Sequence, residues 1–186
     1  RDFTKITDVA TDKSGNVWVL SDDSRVVIVD NKYKFVREFI VTEGGEPVDF
    51  SDAKGLYVST KNEVYIADTS RSRVLICDEN GSLIKEITEP ENNLIPEDFQ
   101  FSPVKVSTDS KGYVYFVSEG SFYGALLFDP KGKFAGFFGA NTVERSPMST
   151  LLFLWDKLTK NDIKRSKSLK KLPYQFKTMV VGKDDF

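Results

Sequence analysis

Charged residues of opposite sign flank two short turns in this sequence. Asp22 precedes Arg25, and Asp68 precedes Arg73, with only polar residues between them. An aspartate and an arginine at such a separation can form an ion pair that fixes the turn, and the same groups on a surface rim can contact a ligand. Both interpretations stay open for these residues and for Glu119, which occupies the corresponding place in a third stretch.

Nucleophilic and acid–base chemistry has few candidates here. The 186 residues include one cysteine, Cys77, and no histidine, which is the commonest general base at neutral pH and the commonest metal ligand. Cys77 aligns with the apolar residues Val29 and Phe128, so we expect a small buried hydrophobe rather than a nucleophile. The sequence therefore predicts no catalytic residue, metal ligand or cofactor, and it favours a non-enzyme without deciding the question.

Two neighbouring aromatic residues, Phe122 and Tyr123, are a further candidate contact. They lie in the longest of three corresponding turns. Aromatic side chains in such a turn either pack into it or stay exposed beside a partner site, and both alternatives remain open.

These candidates recur because three stretches of the chain repeat one pattern of strands and turns. The copies align on three apolar triplets: Val17-Trp18-Val19, Val64-Tyr65-Ile66 and Val114-Tyr115-Phe116. In each copy a third strand ends on an aspartate, and turn-forming residues fill the gaps between strands. Each copy is therefore predicted to be an antiparallel meander of four strands.

A solitary four-stranded sheet cannot bury both of its faces, whereas sheets stacked radially bury each other, as in a β-propeller. We predict an all-β fold: a partial β-propeller with about three four-stranded antiparallel blades over residues 1–143. Residues 173–186 are expected to supply the first strand of a further blade. Because propellers have about four to eight blades, we expect this chain to be part of a longer protein.

The repeated units resemble NHL repeats. The middle copy carries most of the NHL pattern: Gly55-Leu56, residues 64–69, Arg73-Val74 and residues 78–81. The first copy departs from it at Tyr33, where the pattern has glycine, and the third shows Glu119 and Gly124 in place of the aspartate and arginine. The shared residues mostly shape turns, so the resemblance implies the fold more than a ligand.

The NHL resemblance also implies that one position of each innermost strand faces a central channel. In this sequence Asp8, Gly55, Lys105 and Thr178 hold that position. Lactonase-type relatives gather carboxylates and amides there around a divalent cation, and amidating-lyase relatives use histidine-bound zinc. Asp8 and Lys105 differ in charge, so a lactonase-like site would need carboxylates from further blades.

A different composition follows the third copy. Ser146 is a suitable N-cap, and apolar residues at helical spacing follow it, which predicts a helical hairpin over residues 144–172. Its basic residues lie in the segment 157–171 and include Lys160, Lys164, Arg165 and Lys167. This segment is either a solvated helix surface whose apolar side docks on the sheets, or a contact for a membrane surface or an acidic partner. Basic and aromatic residues do not alternate here, so we expect no nucleic acid partner.

The insertion resembles that of bacterial membrane-associated proteins in which NHL-type blades outside the cytoplasm precede a Yip-type multi-span region. The likeness lies in "GFFGANTVERSP" and "LWDKLTKNDIKRS". It implies an extracytoplasmic or cell-surface location, with a membrane tether in the full-length protein.

We interpret the chain as a non-enzymatic interaction module that binds a protein or polymer at the bacterial cell surface or membrane periphery. The alternative is a metal-dependent hydrolase of the gluconolactonase kind, completed by further blades. Open blade edges also predict self-association, since an unpaired sheet edge can pair with another chain.

Overall fold

The structure is a computed structural model, and it describes residues 5–92, 94–95, 99–121, 123–139 and 177–182. The predicted helical hairpin over 144–172 lies outside these residues. Residues 177–182 have no assigned strand, and Val180 is 84% exposed. The predicted strand of a further blade extends into residues that are not described, so it stays a prediction.

Three four-stranded sheets contain twelve of the fourteen strands in the described residues, and we call them blades 1, 2 and 3. Blade 1 consists of β1 (Ile6–Thr11), β2 (Val17–Ser21), β3 (Val26–Val29) and β4 (Phe35–Phe39). A short hairpin follows it, with β5 (Thr42–Glu43) and β6 (Glu46–Pro47). Blade 2 consists of β7 (Ala53–Val58), β8 (Val64–Asp68), β9 (Arg73–Cys77) and β10 (Leu83–Ile87), with a single 3-10 turn at Thr69–Arg71. Blade 3 consists of β11 (Pro103–Thr108), β12 (Val114–Ser118), β13 (Ala125–Phe128) and β14 (Phe134–Phe138).

The strands of each blade pair in chain order, and every neighbouring pair is antiparallel. The register is the same in the three blades, as corresponding pairs of the first two strands show: Val9–Val19, Leu56–Ile66 and Val106–Phe116. The first strand of each blade contacts the first strand of the next, β1 with β7 and β7 with β11. The prediction of three stacked antiparallel sheets is confirmed.

The two sides of blade 2 face different neighbours. Successive side chains of a strand point to opposite faces of its sheet. In β8, Val64 and Ile66 belong to an apolar core shared with blade 1, while Tyr65 and Ala67 belong to a second core shared with blade 3. All four residues are buried. Blade 2 is therefore covered on both faces.

The two inter-blade cores contain large aromatic side chains. In the first core Trp18 meets Phe39 edge to face, with ring centroids 5.1 Å apart. In the second, Phe116 lies 5.1 Å from Phe128 and 6.4 Å from Phe101. Burying one such side chain contributes about 1.5–3 kcal/mol, so stacking between blades is the main source of stability in this fold.

Six hairpin turns at one end of the blades share one construction. In each, a side-chain oxygen of the first turn residue accepts a hydrogen bond from the backbone N–H four residues later. These first residues are Asp12, Asp30, Ser59, Asp78, Asp109 and Asp129. The residue three positions later has φ between 61° and 99°. Those residues are Gly15, Tyr33, Asn62, Gly81, Gly112 and Gly132. The aspartates that end each third strand therefore shape the following turn.

Gly81 is the glycine of these turns whose added Cβ atom would clash with the backbone of a neighbouring segment. Its φ is 99°, and a Cβ atom would lie 1.9 Å from the backbone oxygen of Ile40. We expect Gly81→Ala to lower the free energy of unfolding by about 2 kcal/mol or more, because left-handed strain adds to the clash. Urea denaturation measures this change.

Gly15→Ala is the matched control for that measurement. Gly15 has φ of 80° with no heavy atom within 4 Å of the added Cβ, so the substitution should cost only the strain, about 1 kcal/mol. Equal losses in the two variants would show that the turn does not contact Ile40.

Candidate functional site

The opposite end of the blades, which we call the loop end, brings the predicted site residues together. It carries the turns between the second and third strands of each blade and the connections from one blade to the next. The channel-facing positions and the Asp22, Asp68 and Glu119 turns all lie at this end.

An irregularity interrupts the first strand of every blade at the loop end. The pairing register shifts at three places: Ile6/Asp8, Ala53/Gly55 and Pro103/Lys105. Such a bulge inserts one extra residue and re-aims the side chains beside it. The bulge comes directly before each predicted channel-facing residue, so the equivalence of Asp8, Gly55 and Lys105 is confirmed.

Asp8 connects all three blades. Its Oδ1 atom accepts a hydrogen bond from Lys105 Nζ of blade 3 at 2.5 Å, and its Oδ2 atom accepts one from the Leu56 N–H of blade 2 at 2.9 Å. The side chains of Asp8 and Lys105 are 12% and 30% exposed. Because partial burial weakens solvent screening, this ion pair is stronger than one on the open surface.

Gly55 lies between Asp8 and Lys105 in the order of the blades. A Cβ atom at Gly55 would lie 2.5 Å from the backbone oxygen of Val104. β7 and β11 therefore approach each other too closely for a larger residue to fit without displacement. Because glycine has no side chain, blade 2 places no side-chain group between Asp8 and Lys105.

Lys54 and Glu119 extend this arrangement toward the surface. Lys54 is the bulge residue of blade 2, and its Nζ atom lies 2.8 Å from Oε2 of Glu119 in blade 3. The hydrogen bond with Glu119 raises the pKa of Lys54. The two side chains are 37% and 60% exposed. We call Asp8, Lys54, Lys105 and Glu119 the channel-mouth cluster.

Asp68 is a fully buried carboxylate at the end of β8. Its Oδ2 atom accepts a hydrogen bond from Arg73 Nε at 2.8 Å and lies 3.6 Å from Arg71 Nη1. Its Oδ1 atom accepts a hydrogen bond from the Ser51 N–H at 3.3 Å. The predicted turn-fixing ion pair of Asp68 and Arg73 is confirmed, and it also holds the connection that enters blade 2.

Arg73 joins this turn to two other segments. Nη1 donates to Glu86 at 2.9 Å, and Nη2 donates to the backbone oxygen of Asp49 at 2.8 Å. Burial acts to lower the pKa of Arg73, while the hydrogen bonds with Asp68 and Glu86 act to raise it, and the net shift is upward. The guanidinium is thus engaged by the protein itself. A ligand contact by Asp68 or Arg73 stays a prediction.

The corresponding turn of blade 1 involves an aspartate that the repeat alignment did not single out. Arg25 Nε donates to Asp23 Oδ2 at 2.6 Å, and the Ser21 hydroxyl also donates to Asp23. The hydrogen bonds from Ser21 and Arg25 lower the pKa of Asp23. Asp22 is exposed, and its backbone N–H donates to Lys5 O at 3.1 Å.

Tyr123 packs on other aromatic rings while keeping part of its surface exposed. Its ring centroid lies 5.6 Å from that of Phe137 and 6.4 Å from that of Phe99, and the residue is 37% exposed. Tyr123 thus contacts two rings and also stays partly exposed, so both alternatives stay open for it. Phe122 lies outside the described residues, as do the basic residues Lys160, Lys164, Arg165 and Lys167.

Burial suppresses the reactivity of Cys77 and Tyr65. It raises the pKa of Cys77 to about 12, with the charge of Asp78 adding to the effect, so the thiol stays protonated at neutral pH. Burial also raises the pKa of Tyr65, and the neighbouring Glu63 adds to the shift. Cys77 is 0% exposed, which confirms the prediction of a small buried hydrophobe.

Among the described residues, no three histidine, cysteine or acidic side chains lie close enough together to hold a metal ion. In that same part of the chain, no helix has the length and apolar character needed to cross a bilayer.

Comparison with known proteins bears on the fold. No family model matches the sequence, and no curated protein matches it. A solved structure described as an exported protein of Bacteroides fragilis has a TM-score of 0.55 at 14% identity, and the match covers 73% of this chain and 38% of that one. A catalytically inactive virginiamycin B lyase of Staphylococcus aureus with quinupristin has a TM-score of 0.53 at 12% identity, over 76% and 44% of the two chains. Kuenenia stuttgartiensis hydrazine synthase has a TM-score of 0.52 at 14% identity, over 75% and 38%.

These neighbours are propeller-type proteins, and their likeness completes the assignment of the fold. This chain is a partial β-propeller. It spans less than half the length of each of the three neighbours. At these identities the likeness concerns the fold alone.

Of the channel-mouth cluster, sequence reasoning found Asp8, Lys105 and Glu119 but missed Lys54. A lysine followed by a glycine is not a sequence signal for a β-bulge, so no sequence feature pointed to Lys54. The ion pair between Asp8 and Lys105 was not predicted either.

Replacing Asp68 tests the buried ion pair. Asp68→Asn keeps the shape of the side chain but removes the charge that faces Arg73. We expect a loss of about 3 kcal/mol in the free energy of unfolding, because the partly buried guanidinium loses its buried counter-charge and keeps only that of the more exposed Glu86. Urea denaturation at neutral pH measures it.

Asp23→Asn in blade 1 is the control, because it removes the solvent-exposed counterpart of that ion pair. Its unfolding midpoint should stay close to that of the wild type. A loss for Asp68→Asn no larger than the loss for this control would contradict the structural role of Asp68.

Proposed function

We propose that this propeller segment is a binding module without catalytic activity of its own, which presents its loop end to a protein or polymer partner. The observation that carries the proposal is the channel-mouth cluster, which consists of two ion pairs that each join side chains of different blades. Because the cluster forms only when the blades are stacked, a partner that binds there recognises the folded state.

The chemistry of the cluster favours recognition over catalysis. Both oxygens of Asp8 accept hydrogen bonds, from Lys105 and from the Leu56 N–H. Lys54 and Glu119 are more exposed and place charges of opposite sign side by side. An exposed ion pair contributes less than about 1 kcal/mol, so a partner of complementary charge can replace it at little cost.

Exposed apolar residues at the loop end add a second kind of contact. Leu94, in the connection between blades 2 and 3, is 64% exposed, and Tyr123 is 37% exposed. Aromatic and aliphatic anchors beside charged groups are typical of protein–protein interfaces.

Within this proposal the repeats are of the NHL type, and the chain belongs to the extracytoplasmic part of a bacterial protein with a Yip-type membrane region. The segment 157–171 then contacts the membrane surface. Support comes from the sequence resemblance and from the structural likeness to a protein described as exported.

The competing proposal is a metal-dependent hydrolase of the gluconolactonase kind, in which further blades add carboxylates around Asp8. It draws its support from a propeller neighbour that is an enzyme, virginiamycin B lyase.

Titration of the full-length protein, including the further blades that the hydrolase site requires, with Ca²⁺ and Zn²⁺, followed by thermal unfolding, separates the two proposals. A metal at 100 times its Kd stabilises a folded protein by about 2.7 kcal/mol, so a hydrolase site would give a large rise in Tm. The binding module should show none. A saturable rise in Tm with either ion would contradict the binding-module proposal.

Surface plasmon resonance with envelope polysaccharides and envelope proteins tests partner binding. The double variant Lys54→Ala/Glu119→Ala should weaken a specific partner about tenfold or more, equivalent to at least about 1.4 kcal/mol. Ile84→Ala, at a residue 58% exposed on the outer strand of blade 2, is the matched control and should bind normally. Binding that survives the double variant would place the partner elsewhere.

A further inference from the structure

A polar groove lies between blades 1 and 2, at the end of the blades that carries the six hairpin turns. It has a volume of about 230 Å³, and both of its walls belong to described blades. Its polar lining consists of one hydroxyl, three amides, a guanidinium and two carboxylates. We use the name asparagine groove for six of these residues: Ser14, Asn16, Arg37, Asn62, Glu79 and Asn80.

The floor of the groove is apolar. Ile28, Val36, Val58 and the indole ring of Trp18 line it. Trp18 is 4% exposed and closes the bottom, whereas Val36, on the outer strand of blade 1, is 50% exposed. A ligand in the groove therefore meets an apolar surface and polar groups at the same time.

Arg37 is held in place and still has donors to offer. Its guanidinium carbon lies 5.9 Å from the ring centroid of Trp18 and 5.6 Å from that of Phe39, and Nη2 donates to the backbone oxygen of Glu79 in blade 2. Within the described part of the chain, Nε and Nη1 have no hydrogen-bond partner. A planar guanidinium fixed in this way presents its remaining N–H groups in a defined direction.

The three amides also keep hydrogen-bonding groups available. Asn62 Nδ2 donates to Glu79 Oε2 at 2.6 Å, and Asn16 Nδ2 donates to Asp12 Oδ2 at 2.8 Å. The side-chain carbonyl oxygens of Asn16 and Asn62 accept no hydrogen bond from the described residues, and the side-chain amide of Asn80 has no partner among them. The groove thus offers both donors and acceptors to a ligand.

These amides belong to this groove and are not a requirement of the repeat. Asn62 has φ of 63°, whereas glycine forms the corresponding turns at Gly15 and Gly112, with φ of 80° and 86°. The turn therefore does not need a side chain at this position. The corresponding groove between blades 2 and 3 has no amide side chain in its lining. Blades 2 and 3 have other residues at the positions of Asn16, Asn62 and Asn80, namely Glu63, Gly112 and Lys131.

We propose that the asparagine groove binds one ring of a neutral saccharide. A sugar hydroxyl both donates and accepts hydrogen bonds, which matches amide side chains beside a guanidinium. The charge of Arg37 offsets one of the two carboxylates, Asp12 and Glu79, so the groove has no large excess of either sign that would select a strongly charged ligand.

The size and place of the groove favour a single sugar ring. Its volume lies below the about 300–1,000 Å³ that drug-sized ligands occupy, so one ring fits while the rest of an oligosaccharide stays outside. The C–H groups of such a ring can pack on Val36. A peptide strand would instead need an unpaired strand edge, whereas this groove lies between two stacked sheets at their turns.

The groove lies at the opposite end of the blades from the channel-mouth cluster, so this inference does not rest on the proposed function. The variant Lys54→Ala/Glu119→Ala should therefore bind saccharide like the wild type, and failure of one proposal leaves the other standing.

Isothermal titration calorimetry of the full chain with maltotriose, cellotriose, chitotriose and mannotriose tests the site. At least one of these neutral trisaccharides should bind saturably with a Kd of about 1 mM or lower. Asn80→Ala and Asn62→Gly should each weaken that binding about fivefold or more. Both variants should fold, because Asn80 is exposed and glycine already forms the turns that correspond to Asn62.

Lys131→Ala is the matched control, since Lys131 is exposed at the position of blade 3 that corresponds to Asn80, and it should bind like the wild type. Absence of saturable binding for all four trisaccharides would overturn the proposal. An unchanged Kd in both asparagine variants would also overturn it, as would equal weakening in the control. If Asn62→Gly does not fold, Asn80→Ala decides the question.

Discussion

Both faces of blade 2 are apolar, and water must be excluded from both at once. Alternate residues of β8 enter different cores, Val64 and Ile66 on one side, Tyr65 and Ala67 on the other. A sheet of this kind gains little by folding alone, because both of its apolar faces would remain in water. The stacking of blades is therefore a condition for the stability of each one.

The polar part of the molecule depends on that stacking. The inner strands lie side by side only because the cores hold the blades together, and the bulge in each inner strand then turns Asp8 and Lys105 toward each other. The buried carboxylate of Asp68 likewise has its partners in its own turn and in the connection from blade 1. Charges are tolerated near these cores because hydrogen bonds and counter-charges accompany them. The same arrangement leaves the side chains of Lys54 and Glu119 accessible to solvent at the loop end.

Much of this fold was predictable from residues that act locally. A glycine or asparagine three residues after Asp or Ser marks five of the six hairpin turns, and the alternation of apolar residues determines which side of a strand is buried. The burial of Cys77 followed from its alignment with Val29 and Phe128 alone. The pairs Asp8–Lys105 and Lys54–Glu119 were not predictable, because they join residues far apart in sequence whose geometry depends on bulges. That Asp23 is a partner of Arg25 depends on the local path of one turn, which the repeat pattern does not reveal.

Hydrogen exchange of the backbone amides, followed by mass spectrometry, tests most directly whether blades stabilise one another. Amides of a segment exchange slowly when the segment opens only with the whole domain. The account predicts that β8 and β9, covered on both faces, exchange most slowly of all strands, and that β1 exchanges faster because Ile6 and Val9 in this strand are more than half exposed. Exchange of β8 and β9 as fast as that of β1, or separate opening of each blade as an independent unit, would contradict it.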